Sequence, residues 1–248
     1  MVHSPLSSDS LRLLRSAVDR SKRTSSVQLP IEFVRTADGQ TPLKHIQQDG
    51  RGEGLRLRLM LSMLLFATRA PHKLHRAAPG YARMLDMADP EGEGSRRVNG
   101  AQRWLASQKY ISRDATQQPP EITMLRCDRS GRPWVVSGKR WITIPLEMWT
   151  NGWIVALSGR ALAIYLVLRE VTGGRADGAS VPRRRRAEYG LSPDTWKRGC
   201  DELVAHGLIE VTPQLVSDDE DWGLRVKRNV YRVIPGGLSK EPTKLAAP

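Results

Sequence analysis

Cysteine is nearly absent from this 248-residue chain: Cys127 and Cys200 are the only two. They lie far apart and nothing near either has metal-ligand spacing. That argues against a disulfide framework or a zinc module and suits a reducing cytoplasm. Long apolar runs are missing too. None approaches the ~18–20 residues of a membrane span, and the polar N-terminus has no apolar signal core. Catalytic groupings are equally scarce. His3, His45, His72, His75 and His206 are dispersed, and the i, i+3 pair His72 and His75 in "HKLH" has no carboxylate beside it in sequence. There is no phosphate-cradling glycine loop, no cluster of Asp and Glu, and no serine elbow. The chain is therefore expected to be neither an enzyme nor a metal- or cofactor-binding protein.

Acid is the remaining shortage. Asp and Glu number 26 against 39 Lys and Arg, giving a net charge of +13 and a pI of about 10.3. Such a surplus attracts polyanions through counterion release and implies no particular fold. Where the cations cluster, the partner it favours is nucleic acid.

The clusters sit in a recognisable order of elements. Residues 1–27 carry Arg12, Arg15, Arg20, Lys22 and Arg23 and read as a basic flexible arm, although Leu11, Leu14 and Val18 at i, i+3, i+7 allow a short amphipathic helix. "LRLRLMLSMLLFATRA" is apolar nearly all round and predicts a buried helix over about 55–69. "APGYARMLDMA" predicts a second helix. After the loop "DPEGEG" comes a third, with Ser95 as its N-cap and Val98, Ala101 and Leu105 as its apolar stripe. Extended segments follow. "LSGRALAIYLVLREV" at 157–171 opens the same series again: "VPRRRRAEYG" predicts a short helix, and Ser192 and Pro193 start another with Trp196, Cys200 and Leu203 inward. Gly207 ends that helix, and two strands follow around the acidic tip Asp218–Asp221.

The two series overlay at an offset of 98 residues. Leu105 falls on Leu203, Ile111 on Ile209, and Ala101 on Gly199. This predicts an internal duplication: an α+β, mainly α, chain with domains at 28–136 and 137–236 and a tail at 237–248. The order of elements, most clearly "AEYGLSPDTWKRGCDELVAHGLIEV", resembles the winged helix-turn-helix. Two in tandem resemble paired winged-helix regulators and plasmid replication initiators of bacteria. The segments "RLRLML", "DPEGEGSRR", "MWTNGWI" and "LSGRALA" resemble those of uncharacterised actinobacterial proteins. The resemblance implies a fold and a DNA partner, and no settled activity.

In that fold the last helix of each unit enters the major groove. The helical period places Arg96, Asn99, Gly100 and Arg103 opposite the first apolar stripe, where Arg can pair with guanine and Asn with adenine. Arg97 lies to the side, at a phosphate. In the second unit Lys197 and Arg198 stand among Asp194 and Asp201, a mixed face. Arg183, Arg184, Arg185 and Arg186 span just over one turn, so they cannot all point one way. Arg225, Lys227 and Arg228 lie on the last strand. The acidic tip is ill suited to phosphate and reads as a solvated loop. Trp141, Trp149 and Trp153 read as an apolar joint or dimer surface rather than a stacking platform, and Trp196 as core. The expectation is a cytoplasmic, nucleoid-associated protein that binds double-stranded DNA in a sequence-specific way, as a homodimer if its site is palindromic. Transcriptional regulation by site occupancy is the leading role. Plasmid or phage replication initiation, or DNA segregation, uses the same architecture. A protein-interaction module is the rival of a different class.

Overall fold

The computed structural model describes residues 6–36, 38–48, 54–135, 140–217 and 225–242. The expected domain boundary at 136/137 and the acidic tip at 218–221 lie outside them. Helix α1 spans Ser8–Ser21. The Ser7 hydroxyl caps it by accepting from the Ser10 amide, and Lys22 closes it in the left-handed region at φ 55°. Leu14, Ala17 and Val18 are buried on its inner face. The expected flexible arm is therefore, over these residues, a docked helix held by an amphipathic stripe. Strand β1 (Ser26–Pro30), α2 (Pro42–Gln48), α3 (Leu55–Phe66), β2 (Lys73–His75), α4 (Ala78–Met84), α5 (Glu93–Ser107), β3 (Ile111–Asp114) and β4 (Glu121–Met124) follow. After β5 (Trp141–Pro145), α6 (Glu147–Thr150) and α7 (Trp153–Ala156) come α8 (Gly159–Thr172), β6 (Ala179–Ser180), α9 (Arg183–Glu188), α10 (Pro193–Ala205), β7 (Ile209–Ser217) and β8 (Arg225–Val233). The described chain is α+β and mainly helical.

From α3 onward the order helix, strand, helix, helix, strand, strand occurs twice. Both three-stranded antiparallel sheets put the last strand in the centre: β2-β4-β3 and β6-β8-β7. The repetition reaches backbone detail at the offset seen in sequence. Lys109 and Gly207 both adopt left-handed conformations, φ 61° and 67°. The Tyr110 amide donates to Leu105 O and the Leu208 amide to Leu203 O, both at 2.9 Å. These are the bonds that close a helix through a left-handed residue. Leu105 and Leu203 are fully buried at equivalent places. Each unit is built round a helix without a polar face, α3 and α8, which must be buried all round.

The two halves share structure across the boundary expected at 136/137. Strand β1 pairs antiparallel with β5, Val27 opposite Ile144 and Leu29 opposite Ile142. The start of α3 meets the start of α8: a Cβ on Gly54 would lie 2.4 Å from the Gly159 Cα. Arg58 crosses the contact to donate to Leu157 O at 2.8 Å. Trp149 and Trp153 are buried in α6 and α7, and the Trp153 indole donates to Leu238 O at 3.0 Å and Lys240 O at 2.8 Å. These two indoles hold the joint and the returning tail, and their faces are not open to a base.

Candidate nucleic-acid interface

Asp89 sets the start of α5. Its carboxylate accepts from the amides of Gly92 at 3.1 Å and Glu93 at 2.8 Å, and its carbonyl accepts from Gly94 at 2.9 Å. These backbone donors hold the Asp89 carboxyl below the usual carboxylate range. Ser95, expected as the N-cap, lies inside the first turn. Gly92 is needed for this cap, because a Cβ there would come 2.3 Å from Asp89 Oδ2.

So started, α5 turns Val98, Ala101 and Leu105 inward as expected, together with Gln102. Arg96, Arg97 and Arg103 are exposed, and Asn99 and Gly100 partly so. Arg96 pairs with Glu93 at 2.9 Å, an exposed i, i+3 contact of small energy. Arg97 and Arg103 form no ion pair among the described residues. Arg113 of β3, not singled out for a role from the sequence, donates to Asn99 Oδ1 at 3.4 Å and brings a cation beside it.

The second unit is different. Ser192 caps α10 by accepting from the Thr195 amide at 3.1 Å, and Trp196, Gly199, Cys200 and Leu203 face inward as expected. On the outer face Lys197 pairs with Asp201 at 2.8 Å and Arg198 with Asp194 at 3.1 Å, both i, i+4. The cations of this helix are compensated by its own acids.

The four arginines also divide. Arg185 donates to both Glu170 oxygens, at 3.1 and 2.9 Å, and to the Tyr189 hydroxyl at 2.8 Å. The Glu170 side chain is 1% exposed, with Arg35 also 3.5 Å away. Arg186 donates to Val181 O at 3.0 Å and lies 5.1 Å from the Trp196 ring centroid. These two arginines, expected at DNA, are held by the protein itself, one on a buried carboxylate and one beside an indole face. Arg184 is exposed. The Arg183 side chain lies outside the described residues.

On the β7–β8 ribbon, Arg225 and Lys227 are exposed and Arg228 is partly buried. With a side-chain period of two, Arg225 and Lys227 share the face of Tyr231. The Tyr231 hydroxyl accepts from the Trp196 indole of α10 at 3.0 Å, so that face is the α10 side. Arg228 takes the opposite face.

Other candidates are accounted for locally. Cys127 and Cys200 are free and buried, and burial pushes both thiols up, Cys200 to about 12. His72 Nδ1 contacts Ala67 O at 3.0 Å, while His75 and Lys73 face Glu121 at 3.1 and 2.8 Å. The two histidines do not converge on one point. Comparison of the chain with protein-family models, with curated proteins and with solved structures finds no match.

Proposed function

We propose that the chain is a double-stranded DNA-binding protein made of two winged helix-turn-helix units, with α5 as the base-reading helix. The observation that carries this reading is the outer face of α5. Arg97 and Arg103 stand there uncompensated beside Asn99, opposite a fully buried stripe. Guanidinium forks suit guanine and phosphate, and the Asn amide suits adenine. In this mechanism phosphate contacts position the duplex and a few side chains specify it. The second unit supplies positioning from Arg184, Arg225 and Lys227. Site occupancy at promoters is the proposed role. The closed ion pairs on α10 favour a second reading for that helix alone, as a surface for a protein partner.

The test is titration of wild type, Asn99→Ala, Arg103→Ala and Arg97→Ala against a selected site and a scrambled duplex at several salt concentrations. Asn99→Ala or Arg103→Ala should cost ~1–3 kcal/mol on the selected site and relax one base position. Arg97→Ala should weaken both duplexes alike and flatten the salt slope by about one unit. Absence of duplex binding at low salt, or affinity indifferent to salt, would reject the reading.

A further inference from the structure

A second concentration of positive charge lies away from the outer face of α5. The C-terminal ends of α1 and α3 converge on a concavity of about 540 Å³ lined by Arg20, Lys22, Arg23, Thr24, Thr68 and Arg69 among others, none of them acidic. Its cations do different things. Arg23 donates to the carbonyls of Leu64, Leu65 and Ala67 at 2.7, 3.0 and 3.4 Å. It therefore closes α3, satisfying carbonyls that a helix end leaves open. Arg20, Lys22 and Arg69 are exposed and form no ion pair among the described residues. The field of Arg20 also reaches Arg76, which is held 4.4 Å above the Phe66 ring. Like charges are thus kept together by the fold, and among the described residues no acid pairs with Arg20, Lys22 or Arg69. The hydroxyls of Thr24 and Thr68 make no hydrogen bond within the described protein.

Guanidinium and ammonium donors beside free hydroxyls, with carboxylates absent, suit a phosphate-type oxyanion. A small-molecule site ordinarily adds apolar enclosing walls, and this concavity is open and polar. A phosphate presented on a long surface fits it better. Arg76 lies two residues before the first residue of α4, and α4 packs against both α1 and α5. α4 thus lies between this concavity and the proposed reading helix. We infer that this concavity seats a backbone phosphate of the same duplex, outside the stretch that α5 reads. The inference rests on the DNA-binding reading. A free phosphate ester has the same chemistry and is separated from it by the test.

The variant is Arg20→Gln with Lys22→Asn and Arg69→Gln. It spares Arg23, and Asn tolerates the left-handed conformation at position 22. Unchanged thermal unfolding confirms that it folds. Two duplexes are titrated: the selected site alone, and the site extended by one helical turn, about 10 base pairs, at each end. Inorganic phosphate is titrated separately while backbone amides are followed by NMR. Wild type should bind the extended duplex about tenfold or more tighter than the short one. The variant should lose that advantage, keep its short-duplex affinity, and show a salt slope on the extended duplex flatter by roughly 2–3 units. Inorganic phosphate should shift amides of residues 22–26 and 68–69 in wild type only. If wild type gains nothing from the extension, or the variant keeps the gain, the inference is overturned while short-duplex binding leaves the DNA reading standing. Phosphate shifts without any gain from the extension reassign the concavity to a free phosphate ester. If wild type binds neither duplex, both readings fall.

Discussion

Gly100 lies in the middle of a 15-residue helix, where glycine is a poor choice, and nothing lies within 4 Å of the place its Cβ would occupy. Packing does not require it. Gly100→Ala should therefore stabilise the fold by about 0.5–1 kcal/mol. On the proposed reading the missing Cβ lets the α5 backbone approach the groove, so the same change should weaken duplex binding. Chemical denaturation and duplex titration check the two halves. A stabilised variant with full affinity would remove the idea of close approach there. The arginines of α9 give a sharper contrast. Arg185→Ala strips the main partner from a carboxylate that is 1% exposed, and should cost about 3 kcal/mol. Arg184→Ala should stay within about 0.5 kcal/mol of wild type and lose duplex affinity instead. Equal stability of the two variants would mean that Glu170 does not hold Arg185. Nothing local in "RRRR" tells these side chains apart. The difference comes from Glu170, on a helix that only the fold brings underneath.

Among the elements, α5 shows how a cap controls the placing of a surface. Asp89 is held below the usual carboxylate range, so its contribution to folding is fully present above the ordinary carboxylate pKa. It is lost as pH falls through the depressed folded value. Asp89→Ala should lower the melting temperature at neutral pH, and the gap to wild type should close as the pH drops below about 3.8. A gap that persists undiminished in acid would mean that the carboxylate is not the cap. Prolines act on the strands in a comparable way. The Leu146 amide donates to Ser25 O and the Ile31 amide to Arg140 O, so Pro30 and Pro145 fall at the alternate positions, where an amide would point outward. The Ile234 amide donates to Leu208 O, which by the same count places Pro213 outward on β7. At each position the ring costs no ladder bond and blunts an exposed edge. The helical stripes, the caps at Ser192 and Gly207, and the duplication itself were legible because they are local and periodic. Pairing of β1 with β5 was not, because two five-residue strands more than a hundred residues apart carry no local mark of each other. Asp89 escaped because it stands three residues ahead of the Gly92 cap position, whereas Ser95 sat where a cap residue is looked for.

At the scale of the molecule, two similar units in one chain ordinarily raise the expectation of two unfolding events. Here the material between the units is core. The β1–β5 pair takes one strand from each expected domain, and the buried residues of both units form one continuous cluster. Leu238 in the returning tail accepts from Trp153 and Asn151. Gly54 is a point of close backbone approach in the joint. It sits at φ 79°, and any side chain there would strike the Gly159 backbone rather than a flexible side-chain end. Calorimetry of the whole chain should therefore show one transition, with calorimetric and van't Hoff enthalpies in agreement. Gly54→Ala should move that transition as a unit. The left-handed backbone alone costs about 1–2 kcal/mol for alanine, which in a chain of this size lowers the melting temperature by at least about 2–4 °C, and the collision adds to it. Gly54 lies outside α5, so on the proposed DNA-binding reading affinity measured well below the transition should be nearly unchanged. Two resolved transitions, of which Gly54→Ala shifts only one, would show that the units are joined by contact alone and fold independently.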